Sequence, residues 1–213
     1  MTQHHGFTVT TYNTELIKSK EELIVILYVV KSLGNIQRQD YGTGHELHFL
    51  FAIFLANAFD QSVVTSKYSQ FVVFFVLHYY YNLIRRVINK FRLMPAGSRG
   101  QWGLDDYFFI PFLFGASQCY SLGDRIPKLT TILDCAKEAK KYYFYELIMH
   151  LHKSKSHEFS ENSSLICMFE EMSSWDVIER GLLKMYQKEV LSAYPVVQHL
   201  TLIDDERFNC RLK

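Results

Sequence analysis

The chain has 213 residues, a length that suits one domain with a sizeable hydrophobic core. Its 23 basic and 22 acidic residues balance, so its charge does not predict binding to nucleic acid or to an anionic membrane. The four cysteines are widely spaced, which favours reduced thiols over a disulfide framework or a zinc site. No secretory signal begins the chain, and the apolar runs 47–59 and 71–84 are too short to cross a bilayer. We therefore expect a cytoplasmic protein, with the nucleus as a second possible location.

Helical periodicity starts near residue 19. Ser19 and Glu22 have the spacing of a capping box, which predicts a helix that ends at Gly34. We expect this helix to bury a stripe made of Leu23, Ile26, Leu27, Val30 and Leu33. Residues 1–18 show no periodicity and are predicted to form an irregular tail.

A second capping box, formed by Thr43 and Glu46, predicts a helix that runs to Phe59 with Gly44 in its first turn. The unpaired N–H groups and positive dipole end at its start would suit an anion, and Arg38 is close in sequence. By themselves these residues favour an ordinary capped helix, and the anion site is the alternative.

A long helix is predicted from Ser66 to Leu93, apolar at first and basic in its second half. The basic residues are expected to form a solvated face near the negative end of the helix dipole. They are Arg85, Arg86, Lys90 and Arg92.

A glycine-rich loop follows Pro95. Its three glycines, Gly97, Gly100 and Gly103, allow positive φ and a close approach to a ligand. Two adjacent carboxylates, Asp105 and Asp106, come next, where the chain enters an apolar run. The loop has no Gly-Lys-Ser/Thr sequence and follows no predicted strand, so it is neither a Walker A motif nor a dinucleotide-binding loop.

Further helices are predicted over residues 107–114, 128–138, 140–153 and about 174–191. The first should be kinked near Pro111. The last should begin at a serine cap in the run Ser173-Ser174-Trp175-Asp176 and should bury a stripe. The members of that stripe are Val177, Leu182, Met185 and Val190. Residues 153–164 read as a polar loop, Pro195 predicts an extended exit from the last helix, and no strand is predicted.

Three sequence blocks, in this order, resemble one family. The first is Arg-x-Asp-Tyr-Gly-Thr-Gly-His-Glu, from Arg38 to Glu46. The second runs from Pro95 to Phe112 and includes Pro-Ala-Gly-Ser and Trp-Gly-Leu-Asp-Asp-Tyr; the third is Tyr-Pro-Val-Val-Gln-His from Tyr194. They are similar to the signature of the phosphotyrosyl phosphatase activator family, whose members activate serine/threonine protein phosphatase 2A. These proteins are also classed as peptidyl-prolyl cis-trans isomerases.

The resemblance covers roughly residues 19–200 and implies an all-α, multi-helix fold with a deep cleft. We expect a helical domain over 19–200 between two tails, 1–18 and 201–213. The family's N-terminal helical region, which precedes the matched part, is expected to be lacking from this chain. A homodimer that supplies those helices in trans is left open.

The resemblance also implies ATP and Mg²⁺ as cofactors, bound at a site completed by the phosphatase catalytic subunit. The matching cofactor-binding positions are Arg38, Thr43, Gly44, Val196, Val197 and Gln198. The matching magnesium positions are Gly100, through its carbonyl, and Asp106. A carboxylate and a carbonyl oxygen are hard ligands of the kind that Mg²⁺ prefers.

Isomerase activity on a proline-containing peptide requires no nucleophile, only a groove that desolvates and twists the prolyl amide. Trp102, Asp105 and Tyr107 are the candidate catalytic residues near the glycine loop, and a purely structural role is equally open for them. Two alternatives remain. The chain could be a non-enzymatic phosphatase-binding module that has lost isomerase activity, or a degenerate paralogue that does not fold stably.

Overall fold

The computed structural model describes residues 19–59, 72–97, 103–123, 136–154, 164–198 and 200. The elements of these residues are helices and two short strands joined by turns, and the all-α fold class is confirmed. The α-helices are α1 Lys20–Lys31, α2 Thr43–Phe59, α3 His78–Phe91, α4 Ile110–Ser121, α5 Tyr143–Ser154, α6 Ser164–Glu171, α7 Trp175–Tyr186 and α8 Tyr194–Val197. The strands are β1 Asp40–Tyr41 and β2 Met94–Pro95, and π-helical turns cover Val72–Leu77 and Gln187–Leu191. No described helix is long and apolar enough to cross a membrane.

Two helix starts follow directly from serine caps. The Ser19 hydroxyl accepts the Glu22 N–H at 3.2 Å, and α1 begins at Lys20, directly after Ser19. Ser174 accepts the Val177 N–H in the same way at the start of α7. Both caps were predicted from local spacing and are confirmed, because a cap involves only neighbouring residues.

The predicted buried stripe of α1 is wrong. Four of its members, Leu23, Leu27, Val30 and Leu33, are exposed large hydrophobic residues. The buried residue of α1 is Tyr28, which forms a small core with Ala52 and Leu55 of α2, with Ile24, Val25 and Val29 packed alongside. Apolar residues occupy more than one side of α1, so its periodicity could not show which side faces α2.

The prediction that the chain has no strands is also wrong. β1 and β2 pair in parallel, with Asp40 opposite Met94 and Tyr41 opposite Pro95. At the end of the pair, the Ala96 N–H donates to the Tyr41 carbonyl at 2.7 Å. Strands of two residues are too short to produce an alternating pattern. This pairing places the first sequence block directly beside the second.

Two predictions about prolines are corrected. Pro111 does not kink a helix, because α4 begins at Ile110 and the proline lies in its first turn. Pro195 does not force an extended exit, because it lies in the first turn of α8. The missing N–H of proline costs nothing in a first turn, where that group has no partner within the helix.

The long predicted helix is described from Val72, and residues 66–71 lie outside the described part. Its basic residues are exposed except for Arg85, for which the prediction of a solvated face is wrong. Arg85 is buried, and its guanidinium lies 5.9 Å from the centre of the Phe108 ring. It follows Tyr81 and Ile84 on the buried side of α3, so its helical position sets its burial.

The remaining predictions are confirmed in part. Residues 140–153 correspond to α5, and the helix predicted to 191 is present as α7 followed by the second π-helical turn. Leu182 and Val190 of its stripe are buried, and the other two members are partly buried. α6 falls at the end of the predicted polar loop and was not predicted. The tails 1–18 and 201–213, and most of the 128–138 helix, lie outside the described residues.

The main core lies where α4 contacts α5 and α7. Phe112 and Phe144 are fully buried and meet edge to face, with ring centroids 5.7 Å apart. Gly115 of α4 makes this contact possible, because a Cβ atom there would lie 2.8 Å from the Phe144 nitrogen. The close crossing of α4 and α5 therefore requires glycine at position 115.

We predict that Gly115→Ala lowers the free energy of unfolding by about 1–3 kcal/mol, because the added methyl group would force α4 and α5 apart. Gly181→Ala in α7 is the control, since a Cβ atom there meets nothing within 4 Å. The control should raise stability by roughly 0.5–1 kcal/mol through better helix propensity. Urea denaturation measures both, and equal effects of the two substitutions would contradict the close crossing.

Candidate functional site

Two adjoining hollows form one cleft where the three sequence blocks meet. The first hollow, about 530 Å³, lies between the end of α1, the start of α2, β2 and α8. The second hollow, about 480 Å³, lies between the start of α2, the turn before α4, and residues 185–196. Both hollows are lined by Ala96, Gly97, Pro195 and Val196.

The first hollow has a basic lining. Lys31, Arg38, His45 and His48 contribute to it, and Asp40 is the acidic member among the described residues. Asp40 Oδ2 accepts the Arg38 Nε–H at 2.8 Å, so these two opposite charges pair with each other, and Lys31 carries a further positive charge in the lining. This hydrogen bond is the main reason that the pKa of Arg38 is raised. The hollow therefore suits an anionic ligand.

The start of α2 differs from the capping box that we predicted for Thr43 and Glu46. The helix does begin at Thr43, with Gly44 in its first turn. However, the Glu46 carboxyl group does not fold back onto that turn. The Gly42 N–H instead donates to Nδ1 of His45 at 3.3 Å.

Glu46 is fully buried and caps a different helix. Its Oε2 accepts the Phe109 N–H at 3.0 Å, and its Oε1 accepts the Ile110 N–H at 3.1 Å. These N–H groups lie at the start of α4, where Phe109 has no side-chain cap of its own. Burial raises the pKa of Glu46 to about 8, and the two N–H donors oppose that rise. The capping box was the wrong interpretation because sequence spacing does not reveal a partner 63 residues away.

The second hollow contains the turn with the paired carboxylates. Asp105, Asp106 and Thr43 line it, together with apolar side chains such as Leu104, Phe108 and Val190. Asp105 Oδ1 accepts the N–H groups of Tyr107 at 2.7 Å and of Phe108 at 3.2 Å. This carboxylate therefore holds the turn in shape, like a helix cap.

Tyr107 also holds the turn in place. Its hydroxyl donates to the Leu93 carbonyl at 2.8 Å, which ties the turn to the segment between α3 and β2. Burial, together with the negative charges of Asp106 and Asp105, raises the pKa of Tyr107. Two of the three predicted catalytic residues thus have a clear structural task, and their catalytic role stays a prediction.

The structure brings many, but not all, of the predicted site residues together. Arg38, Gly44 and Val196 line the first hollow, and Thr43, Asp106 and Val196 line the second. Gly100 and Trp102 lie outside the described residues. Val197 packs against the core, and exposed Gln198 donates from Nε2 to the Pro195 carbonyl at 3.2 Å. Neither Val197 nor Gln198 is among the described lining residues.

The second hollow offers carboxylate oxygens of the kind that a magnesium ion prefers. Among the described residues, no cluster of three or more His, Cys, Asp or Glu side chains could hold a metal ion. Mg²⁺ is commonly held by one or two carboxylates, with phosphates and water filling its other positions. The carboxylate of Asp106, in the lining of the second hollow, meets that requirement, whereas Oδ1 of Asp105 already accepts two backbone N–H groups.

Several lining residues were missed in the sequence. Lys31 and Asn35 lie at the end of α1 and in the following turn, and the Asn35–Asp40 bridge brings them beside β1. His48 is one helical turn after Gly44, and its Nδ1 lies 2.7 Å from the Gly44 carbonyl oxygen. The spacing of His48, one turn after Gly44, could have indicated its position beside the hollow. The position of Lys31 could not be read from spacing, because it depends on the Asn35–Asp40 bridge.

Comparison with known proteins agrees with the sequence blocks. The family model described as Phosphotyrosyl phosphate activator (PTPA) protein matches residues 3–204. Serine/threonine-protein phosphatase 2A activator 1 of Schizosaccharomyces pombe is 37% identical over 191 residues, covering 86% of this chain and 57% of that protein. Serine/threonine-protein phosphatase 2A activator of Drosophila melanogaster is 36% identical over 174 residues, covering 81% and 43%. The chain spans about half the length of these curated relatives.

A solved structure shares the fold. The crystal structure of the PP2A phosphatase activator Ypa1 PTPA1 superimposes with a TM-score of 0.69 at 31% sequence identity. The match covers 82% of this chain and 55% of that chain. Most of the present fold therefore lies within a known helical architecture.

We predict that Glu46 makes stability depend on pH. Its pKa is about 8 in the folded protein against an ordinary value of 4.5, so the folded state binds the proton more tightly than the unfolded chain. The resulting stabilisation is fully present below about pH 4.5 and is lost as pH rises through about 8. Glu46→Gln removes this dependence. As pH rises through this range, the difference between the free energies of unfolding of wild type and variant should fall by about a few kcal/mol.

The comparison must be a difference because other groups titrate too. Burial lowers the pKa of His150 to about 4, with a contribution from Arg85, so this group destabilises the fold as pH falls. That effect is shared by wild type and variant and cancels. Denaturation curves at a series of pH values measure the difference, and a difference independent of pH would show that Glu46 does not titrate as described.

Proposed function

Because this chain belongs to the phosphotyrosyl phosphate activator (PTPA) family, we propose that it activates serine/threonine protein phosphatase 2A. The observation that carries this proposal is the cleft, in which all three family blocks contribute lining residues. The activator role is printed in the names of the relatives from Schizosaccharomyces pombe and Drosophila melanogaster. We propose further that the cleft binds Mg·ATP, and that the phosphatase catalytic subunit covers it.

The basic lining of the first hollow supports an anionic ligand such as ATP. In this proposal Arg38 and the N-terminal turn of α2, at Thr43 and Gly44, bind the phosphates. Val196, Val197 and Gln198 lie on the nucleotide side, and Gly100 and Asp106 hold the magnesium. Bound Mg²⁺ would neutralise part of the phosphate charge.

The two glycines at the start of α2 differ in a way that supports a ligand near Gly44. A Cβ atom on Gly42 would lie 2.8 Å from the Ala96 carbonyl oxygen, so Gly42 is required by the fold. A Cβ atom on Gly44 would meet only Val196, at an ordinary 3.7 Å. The fold tolerates a side chain at position 44, and an approaching ligand gives a reason for its absence.

Three exposed apolar side chains beside the cleft support docking of a protein partner. Ile36, Met94 and Tyr194 have exposed fractions of 92%, 65% and 73%. Each is the sequence neighbour of a residue that lines the first hollow. Exposed apolar side chains beside a polar hollow are typical of a protein interface. We propose that the phosphatase contacts them and that the complex steadies the phosphatase active site while its catalytic metals load.

The isomerase activity is proposed for the second hollow. Rotation about a prolyl amide crosses a barrier of about 18–20 kcal/mol, which an apolar, desolvating groove can lower without a nucleophile. Leu104, Phe108 and Val190 supply apolar walls, and Asp105 also lines this hollow. The alternative is a non-enzymatic module that binds the phosphatase without isomerising proline.

We predict that the full chain accelerates isomerisation of a proline-containing peptide and that Asp105→Asn slows this reaction. Asparagine can accept the same two backbone N–H groups, so the turn and the thermal stability should be kept while the charge is lost. A protease-coupled peptide assay measures the rate. A wild-type rate equal to the uncatalysed rate would favour the non-enzymatic module that only binds the phosphatase. An unfolding transition without cooperativity would favour a degenerate paralogue that does not fold stably.

We predict that Gly44→Ala weakens ATP-dependent association with the phosphatase catalytic subunit by about tenfold or more, equivalent to ~1.4 kcal/mol. The added methyl group would occupy the floor of the cleft without disturbing the fold, and helix propensity should rise by roughly 0.5–1 kcal/mol. Gly42→Ala is the matched variant and should lose stability instead. Pull-down with and without ATP, beside thermal melts, measures both effects; unchanged association of Gly44→Ala would argue against the site.

We predict that Tyr194→Glu weakens phosphatase binding at least about tenfold, or ~1.4 kcal/mol, by placing a charge in the proposed interface. Tyr79→Glu is the control, because Tyr79 is exposed to a similar extent, 71%, on α3. Surface plasmon resonance with the catalytic subunit gives both affinities. Equal weakening by the two variants would place the interface elsewhere.

A further inference from the structure

The turn after Asp106 is held by hydrogen bonds from two different sources. Its four successive backbone N–H groups all have carboxyl acceptors. Those of Tyr107 and Phe108 donate to Asp105, within the turn itself. Those of Phe109 and Ile110 donate to Glu46, on α2. The shape of the turn is therefore set locally, and its position is set from α2.

Glu46 stands three residues after Thr43 on α2, and Phe109 stands three residues after Asp106 on the turn. The hydrogen bonds from Phe109 and Ile110 to the Glu46 carboxyl group thus link the two sides of the second hollow, which Thr43 and Asp106 line. The carboxyl group is fully buried, so water does not compete for these N–H groups.

On the basis of the Mg·ATP binding proposed above, we propose that Glu46 is a positioning residue for the magnesium ion. By holding Phe109 and Ile110, it fixes Asp106 at the distance from the start of α2 at which one ion can meet both the carboxylate and the ATP phosphates. Glu46 itself touches neither ligand.

A positioning role predicts a selective effect on binding. Arg38, Thr43 and Gly44 lie on the α2 side, so their contacts with ATP do not depend on where the turn lies. The contribution of Mg²⁺ depends on both sides at once. Loss of the acceptors at position 46 should therefore reduce the gain in ATP affinity that Mg²⁺ brings, and leave binding of ATP in EDTA nearly unchanged.

Three variants of the full chain test this role. Glu46→Met fills a similar volume without any acceptor, and Glu46→Gln keeps Oε1, which lies within 3.3 Å of both N–H groups. Glu179→Met is the control, because it also removes a carboxylate that joins two helices: Glu179 of α7 accepts a hydrogen bond from the Ser117 hydroxyl of α4. If Glu46→Met does not fold by circular dichroism, Glu46→Asp replaces it, since its shorter side chain cannot reach both N–H groups.

Isothermal titration with ATP, in Mg²⁺ and in EDTA, gives the ratio of the two affinities for each protein. We expect Glu46→Met to lower the wild-type ratio at least about tenfold, and Glu46→Gln and Glu179→Met to keep it. An unchanged ratio in Glu46→Met, or an equal loss in Glu46→Gln, would overturn the positioning role while leaving Mg·ATP binding intact. A wild type whose ATP affinity does not respond to Mg²⁺ would overturn the proposed cofactor site, and the positioning role with it.

Discussion

A buried carboxyl group joins the starts of two helices, and the cleft depends on this contact. Removing Glu46 from water is costly, and the paired N–H groups at the start of α4 compensate for part of that cost. Those N–H groups belong to a helix start without a side-chain cap of its own, so each partner satisfies the other. The result is a fixed separation between α2 and the turn with the two aspartates.

A second contact completes the arrangement from the opposite side. The two-residue parallel pair of β1 and β2 places the Pro95–Gly97 segment against the start of α2, where Gly42 leaves room for the Ala96 carbonyl. α8 contacts both α2 and the π-helical turn before it, and it contributes Pro195 and Val196 to both hollows. Residues far apart in the chain thus form one cleft without a large sheet or a metal cluster among the described residues. The proposed ligand would bind where backbone, dipole and charge converge, at low reorganisation cost.

Prediction from sequence succeeded where the controlling interaction was local. The serine caps of α1 and α7 depend on residues three apart, and both were placed correctly. It failed where a distant partner decided the outcome. The outer face of α1, the burial of Arg85 and the partner of Glu46 all depend on which element packs alongside, and periodicity carries no information about that. Pro111 and Pro195 show a third case, because proline interrupts a helix interior but is favoured in the first turn, and the sequence did not show which position each one takes.

The amino-acid sequence alone determined the helical class, the helix starts capped by serine and the three family blocks. These follow from short-range spacing and side-chain chemistry, which act the same way in any fold. Only the tertiary structure decided that Arg38, Thr43 and Asp106 belong to one cleft, and that Glu46 caps α4 instead of its own helix. The reason is physical: a buried polar group must be satisfied by whichever partner the packed chain brings within about 3 Å, and that partner need not be near in sequence.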